Sequence, residues 1–273
     1  MTFLSTYLLG GAVILALMLL LWVFSLILKN SSIVDIFWGF GFVVSAWFYF
    51  FLTPPNSLLQ KILILALVTI WGTRLSIHIL LRNWRKPEDF RYQKWRNESG
   101  AVWWIKSLFK VFLLQGLLMW LISSPILAAQ YYKPTRFFIW LDIIALVVWC
   151  IGFFFESAGD VQLAKFRSDS ANRGKVLNTG VWRLTRHPNY FGDSAQWWAF
   201  YLLALAAGGW WTIFSPILMT LFLLKVSGVA LLEKTLADTK PGYREYIEST
   251  SPFIPWFPRK TAASNIQQNR KLD

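Results

Sequence analysis

The stretch LTRHPNYFGD, Leu184 to Asp193, holds Arg186, His187, Asn189, Tyr190 and Asp193 within ten positions, between two long apolar runs. Gly174 and Gly180 punctuate the loop before it. Pro188 suits the first turn of a helix, where its missing N–H costs nothing and its φ is preset. The free N–H groups and positive dipole end of that helix would lie beside Arg183 and Arg186, a combination that makes a phosphate site. A helix that is merely capped and positively flanked also needs arginine and proline. It does not need His187, Asn189, Tyr190 and Asp193 together.

Two clusters flank this one. In CIGFFFESAGDVQLAKFRSD, Glu156, Asp160 and Arg167 stand at i, i+4 and i+11 and so come near one face of a helix. Carboxylates at the end of an apolar run are costly unless they meet water, a partner or a ligand, which makes them functional candidates. An ion-pair network with Arg167 or Lys165 closing the helix end is the alternative. In LLEKTLADTKPGYREYIESTSPFIPWFPRK, Glu233 lies close to an apolar run and Tyr243 and Tyr246 fall on one helical side. Pro252, Pro255, Pro258 and Trp256 there form a strip suited to a membrane interface. Nearer the N-terminus, Asp35 sits inside an apolar run and is expected to be paired or protonated. Trp71, Arg74 and His78 stand at i, i+3 and i+7, and Arg74 is the expected partner of Asp35, either for chemistry or as a structural pair.

What positions these groups is a membrane scaffold. Of 273 residues, 56% are hydrophobic and 18% aromatic, only 15% are charged, and the mean hydropathy is +0.45, far from soluble averages. Apolar stretches near the roughly 20 residues that cross a hydrocarbon core lie at about 3–28, 33–52, 58–81, 103–127, 137–157, 191–207 and 210–232. Gly208 and Gly209 alone separate the last two, which leaves a re-entrant or merged segment open. The first stretch lacks a basic n-region and is too long for a signal peptide. The predicted fold class is all-α, a polytopic membrane protein of about seven transmembrane helices.

Basic residues set the orientation. The 82–106 loop carries Arg82, Arg85, Lys86, Arg91, Lys94, Arg96 and Lys106, and the 158–190 loop is similarly rich; the alternate loops hold only Lys61, Lys133 and Arg136. The rich loops and the C-terminus therefore face the cytoplasm and the N-terminus lies outside. The net charge of +13 follows from this asymmetry and from attraction to anionic membrane lipids, with no nucleic acid implied. Cys150, the lone cysteine, reads as a buried small hydrophobe. No metal is expected. Residues 1–260 read as one domain, and the polar tail Thr261 to Asp273 as disordered.

The motifs ESAGDVQLAKFR and LNTGVWRLTRHPNYFGD, a Glu in the last span and YREY resemble the C-terminal domain of the steroid 5-alpha-reductase family, most closely its branch catalogued as DUF1295. The motif-bearing resemblance covers roughly 156–258; IVDIFWGFGF and WGTRLSIHILLRNWRKPEDFRY extend it more diffusely to the front. RHPNYFG is shared with a wider superfamily that includes sterol reductases and isoprenylcysteine and phospholipid methyltransferases. The resemblance implies a seven-helix bundle in a bacterial inner membrane. NADPH would be held from the cytoplasmic side by residues 137–258, and a lipid-like substrate would enter among front helices 1–130. Carried over by position, Asp160, Arg167 and Asn189 hold the cofactor, Asp193 stands where the reductases often have an acid, and Glu156 replaces an Asn. Arg183, Arg186, His187, Tyr190, Glu233, Tyr243 and Tyr246 join the same region. A dinucleotide needs such cations, carboxylates, amides and aromatics.

In such a reductase, hydride goes to the β-carbon of an enone and a donor must meet the oxygen where charge builds. A Glu on the second helix and a Tyr on the third do this in the steroid reductases. Here Asp35 stands on the second span, Trp71 takes the tyrosine position, and Arg74 or His78 supplies the donor; a structural role for His78 is the alternative. S-adenosylmethionine-dependent methyl transfer is the second reading, against which Glu233-Lys234 stands in place of the usual Glu-Glu pair. A non-catalytic lipid-binding or transport protein is the third.

Overall fold

The computed structural model describes residues 1–54, 58–133, 139–226 and 240–259, and every regular element among them is helical. Glu233 and the tail Thr261 to Asp273 lie outside the described residues. Among the described residues, five helices are long and apolar enough to cross a membrane: Phe3–Ile27, Ile33–Leu52, Leu58–Asn83, Phe90–Tyr131 and Trp140–Ser168. The chain is a helical membrane protein. It divides into two compact units, Met1–Leu146 with Ala199–Pro216, and Val147–Trp198 with Ile217–Asp273.

In the first unit, α1 (Phe3–Ile27) starts at Thr2, whose hydroxyl accepts the Ser5 N–H at 3.1 Å and satisfies one of the otherwise orphaned amides of the first turn. Thr6, Gly10, Ile14, Met18, Leu21 and Ser25 form its buried stripe, while Leu4, Leu8, Leu15 and Leu19 stay exposed. Such leucines are a liability in water and at home in lipid. Next, α2 (Ile33–Leu52) and α3 (Leu58–Asn83) approach backbone to backbone. A Cβ on Gly39 would stand 2.5 Å from the Gly72 carbonyl oxygen, and one on Gly72 equally close to that of Gly39 at 2.5 Å. The Phe40 N–H also donates to Ser76 Oγ at 2.9 Å. Small residues are what allow membrane helices to pack this closely.

Lys61 enters the sequence count as a loop charge, but the folded chain uses it differently. It is buried in the first turns of α3, and its Nζ donates to the carbonyls of Phe50 and Thr53, both at 2.9 Å. These are the last carbonyls of α2, where a cation completes the hydrogen bonding and meets the negative dipole end.

The stretch 82–106, expected as a loop, contains a helix, α4 (Phe90–Ser99). Asp89 caps it, its carboxylate accepting the Arg91 N–H at 3.0 Å. The helix is polar on balance, with Phe90, Tyr92 and Trp95 scattered among charged and amide residues, so hydropathy could not reveal it. Gly100, at φ 54, then turns the chain into the membrane-crossing stretch of α5 (Trp103–Ser107), a π-helical Leu108–Leu113, α6 (Leu114–Ile122) and α7 (Ser124–Tyr131).

The second unit is built on α8 (Ile139–Ser168), from Val147 onward, and on the N-terminal part of α9 (Pro188–Ala206). It also takes the end of α10 (Phe214–Leu221) and the short α11 (Tyr243–Ser249). As its sequence predicts, α8 runs unbroken out of the apolar stretch, and Pro188 opens α9. Cys150, expected to be buried, is exposed. It shares the outer side of α8 with exposed Val147, Ile151 and Phe154, the side left for lipid.

Candidate active site

Glycine brings α8 and α9 together. A Cβ on Gly192 would stand 2.4 Å from both the Gly152 carbonyl oxygen and the Glu156 amide nitrogen, and one on Gly159 would stand 3.0 Å from Pro188 Cγ. That approach sets Glu156 and Asp160, one turn apart on α8, against the first turns of α9. Glu156 is 2% exposed and accepts a hydrogen bond from Gln196 Nε2 at 2.6 Å. Asp160 is 7% exposed and accepts one from Asn189 Nδ2 at 3.3 Å. Asp193 is buried on the same part of α9. The His187 ring lies parallel to that of Tyr190, centroids 5.6 Å apart and planes 5° from parallel. Gln196 escapes a search of the RHPNYFG motif because it stands beyond it, and its only signal is that of a lone amide before two tryptophans.

The loop before α9 is pinned from two sides. Against α8, the Val181 N–H donates to Gln162 Oε1 and Trp182 Nε1 to the Gly159 carbonyl, both at 3.0 Å. Gly174 and Gly180, expected to punctuate this loop, take φ values of 82 and 60. Against the C-terminal segment, the Arg186 N–H donates to the Ser251 carbonyl at 2.9 Å, and its Nη1 to the carbonyls of Ile247 and Thr250, both at 2.8 Å. Arg186, expected at a phosphate, gives its Nη1 to the carbonyls at the end of α11 and braces that helix against the loop. Arg167 and Arg183 stand exposed at the surface. Tyr246 is buried and its phenol donates to the Trp182 carbonyl, with the Tyr243 ring edge-on at 5.7 Å. Tyr246 therefore docks α11 on the 180–186 turn.

In the first unit, Asp35 finds partners that its sequence neighbourhood does not announce. Its Oδ1 accepts the Tyr92 phenol at 2.7 Å and its Oδ2 the Arg91 Nη2 at 3.4 Å. Tyr92, 4% exposed, accepts in turn from Gln115 Nε2 at 3.2 Å, and Arg91 Nε is fixed by Asp89 at 2.9 Å. Arg74, the expected partner, and His78 are half-buried on α3. Trp71 is fully buried, with the Phe42 and Phe200 rings at 5.8 and 6.0 Å, which makes it a core residue. Tyr92, Arg91 and Gln115 are the functional candidates that sequence reasoning missed. The available signal was Glu88-Asp89 before Phe90, a helix start.

The same region clamps the turn between α1 and α2. Glu88 accepts the Ser31 N–H at 2.6 Å and Arg96 Nη2 and Nε at 2.8 and 2.9 Å, while the Asp89 N–H donates to Ser32 Oγ at 2.7 Å. Burial pushes the Glu88 carboxyl up, but the bonds from Arg96 and the Ser31 amide outweigh it and hold Glu88 below the usual carboxylate range. For Asp89, burial is likewise outweighed by the Arg91 side chain and amide. Among the described residues, no group of three His, Cys, Asp or Glu side chains is arranged to hold a metal ion.

The profile of a family described as a protein of unknown function (DUF1295) matches residues 21–250. An uncharacterized protein of Schizosaccharomyces pombe is 29% identical over 264 residues, covering 86% of this chain and 75% of the relative. No solved structure matches the chain.

Proposed function

The chain belongs to the DUF1295 family, and on that premise we propose that it is an NADPH-dependent membrane reductase. Its substrate would be an enone of a steroid-like, isoprenoid or other lipid, saturated at the C=C bond. The observation that carries the reading is the polar seam of α8 and α9: two buried carboxylates, each bonded to an amide side chain of the facing helix. Carboxylates are not kept at the end of an apolar helix for stability, and they mark a site by default.

The donor set fits the cofactor. Asp160 and Asn189 pre-orient each other and match ribose hydroxyls or a carboxamide, and the exposed cations Arg167 and Arg183 match phosphates. The half-buried Tyr190 ring, stacked on His187, offers a flat aromatic face. Arg186 and Tyr246 act indirectly, by holding the C-terminal segment against the loop. NADPH, when bound, supplies a hydride to the β-carbon of the enone.

Asp35 and Tyr92 are the acid pair. A carboxyl and a phenol sharing a 2.7 Å hydrogen bond keep a proton at Oδ or Oη for the carbonyl oxygen on which negative charge builds. Gln115 and Arg91 fix the two groups from either side. Tyr92 thus takes the part that the resemblance gives to a third-helix tyrosine.

Seven crossings, with the N-terminus outside and the site facing the cytosol, complete the proposal. The sixth would be α9 and the seventh the apolar helix Trp210–Lys225. The relative found is fungal, so the proposal is for a cellular membrane in general rather than the bacterial inner membrane.

The test is a thermal-shift titration of the detergent-purified protein with NADPH, NADH and S-adenosylmethionine in parallel, since a ligand of the native state raises apparent stability by mass action. Stabilisation by NADPH that Asn189→Ala reduces is the expected result. Stabilisation by S-adenosylmethionine alone moves the reading to methyl transfer, and no stabilisation by any of the three overturns both.

A further inference from the structure

We propose that residues 251–259 are an interfacial anchor, docked on the anionic headgroup layer of the membrane that the protein spans. The segment is not a loose tail. Its backbone is tied down by the Trp256 N–H on the Leu184 carbonyl at 2.9 Å, the Arg259 N–H on the Ser249 carbonyl at 2.8 Å and the Thr185 hydroxyl on the Phe253 carbonyl at 2.8 Å. Pro252, Pro255 and Pro258 carry no N–H that would need water. Large apolar side chains of this strap are left uncovered by the protein: Ile254 is 66% exposed, Trp256 69% and Phe257 80%.

The level of the strap identifies what covers these side chains. The strap hangs on Leu184 to Arg186, and the same turn is fixed to α8 through Trp182 on the Gly159 carbonyl at 3.0 Å. Gly159 stands one helical turn beyond Phe155, where the apolar run of α8 gives way to Glu156. The strap is therefore held where α8 leaves the hydrocarbon, the depth at which aromatic rings and basic groups are favoured. The cation at hand is the exposed Arg259, on a cavity of about 460 Å³ that Ile254, Trp256 and Phe257 line together with the braced Arg186 and the acid Glu248. A pre-ordered strap loses little conformational freedom on docking. This inference needs only a membrane protein and stands apart from the reductase reading.

Site-directed spin labelling reads the depth directly. On a Cys150→Ser background, single cysteines replace Phe257, Ile254 or, as an aqueous reference on α11, Glu245, in nanodiscs of phosphatidylcholine with and without phosphatidylglycerol. The anchor predicts a several-fold higher ratio of oxygen to nickel-chelate accessibility at 257 and 254 than at 245. Phosphatidylglycerol should raise that ratio, and Arg259→Gln should reverse the rise. Ratios at 257 and 254 equal to that at 245 would place the strap in water. Shielding from both reagents would mean that protein covers it, and insertion insensitive to phosphatidylglycerol would remove the anionic partner. Each of these three results overturns the proposal.

Discussion

The phenol of Tyr92 lies 2.7 Å from the carboxylate of Asp35, a contact that joins residues 57 positions apart. Within the proposed reduction, Tyr92→Phe and Asp35→Asn are each expected to lower kcat about 100-fold, the scale of one general acid. Both should leave the NADPH-induced rise in Tm intact. The double variant should lose little more than either alone, because the two groups act as one unit. An Asp35→Asn protein that fails to fold would show a structural role instead, and Tyr92→Phe then separates the two readings.

Asn189→Ala and Asp160→Asn should weaken NADPH binding about tenfold or more, as expected from one lost polar contact in a buried setting, without unfolding the protein. Isothermal titration measures the affinity and circular dichroism the fold. Unchanged affinity in both variants would remove the α8–α9 seam from the cofactor site.

Gly192→Ala probes the scaffold rather than the chemistry. The added methyl would meet the backbone at Gly152 and Glu156, both 2.4 Å away, and neither atom is free to move aside. A loss of about 1–3 kcal/mol is expected from overpacking, read as a fall in Tm. The buried bond between Glu156 and Gln196 should weaken with it.

Glu88 gives the fold a pH signature. Its carboxyl titrates lower in the folded protein than in an unfolded chain, so the stability it contributes is present above the ordinary glutamate range and is lost as pH falls through the depressed folded value. Glu88→Gln should therefore lower Tm near neutral pH by an amount on the order of 1–3 kcal/mol of stability, given the Arg96 and Ser31 partners it leaves behind. The gap between wild type and variant should close on acidification below the ordinary glutamate range. A gap that widens toward acid would contradict the assignment.

The elements were legible where a single run of residues decides them. Apolar length placed α1, α2 and α3 within a few residues, and Pro188 marked the start of α9. The polar α4 was hidden because no hydropathy contrast marks it, and with it went the partners of Asp35. Cys150 was misplaced because an apolar residue in a membrane helix has two apolar sides to choose from, one of them lipid. The residue types of RHPNYFG single it out as a candidate site, yet the partners of Arg186 at Ile247 and Thr250 are not legible there, since a backbone carbonyl leaves no mark in a sequence. Helix register, set by contacts such as Gly152 with Gly192, decides who meets whom.

The contact between Gly39 and Gly72 also bears on how the chain is made. The two glycines are near in sequence as well as in space, and the bond from Phe40 to Ser76 lies beside them. A hairpin with its own backbone contacts and its own Lys61 clasp can close as soon as its second arm enters the bilayer. During synthesis, α2 and α3 are thus the natural seed on which later helices assemble, and a bulky residue at either glycine would be felt first as poor biogenesis rather than as lost activity.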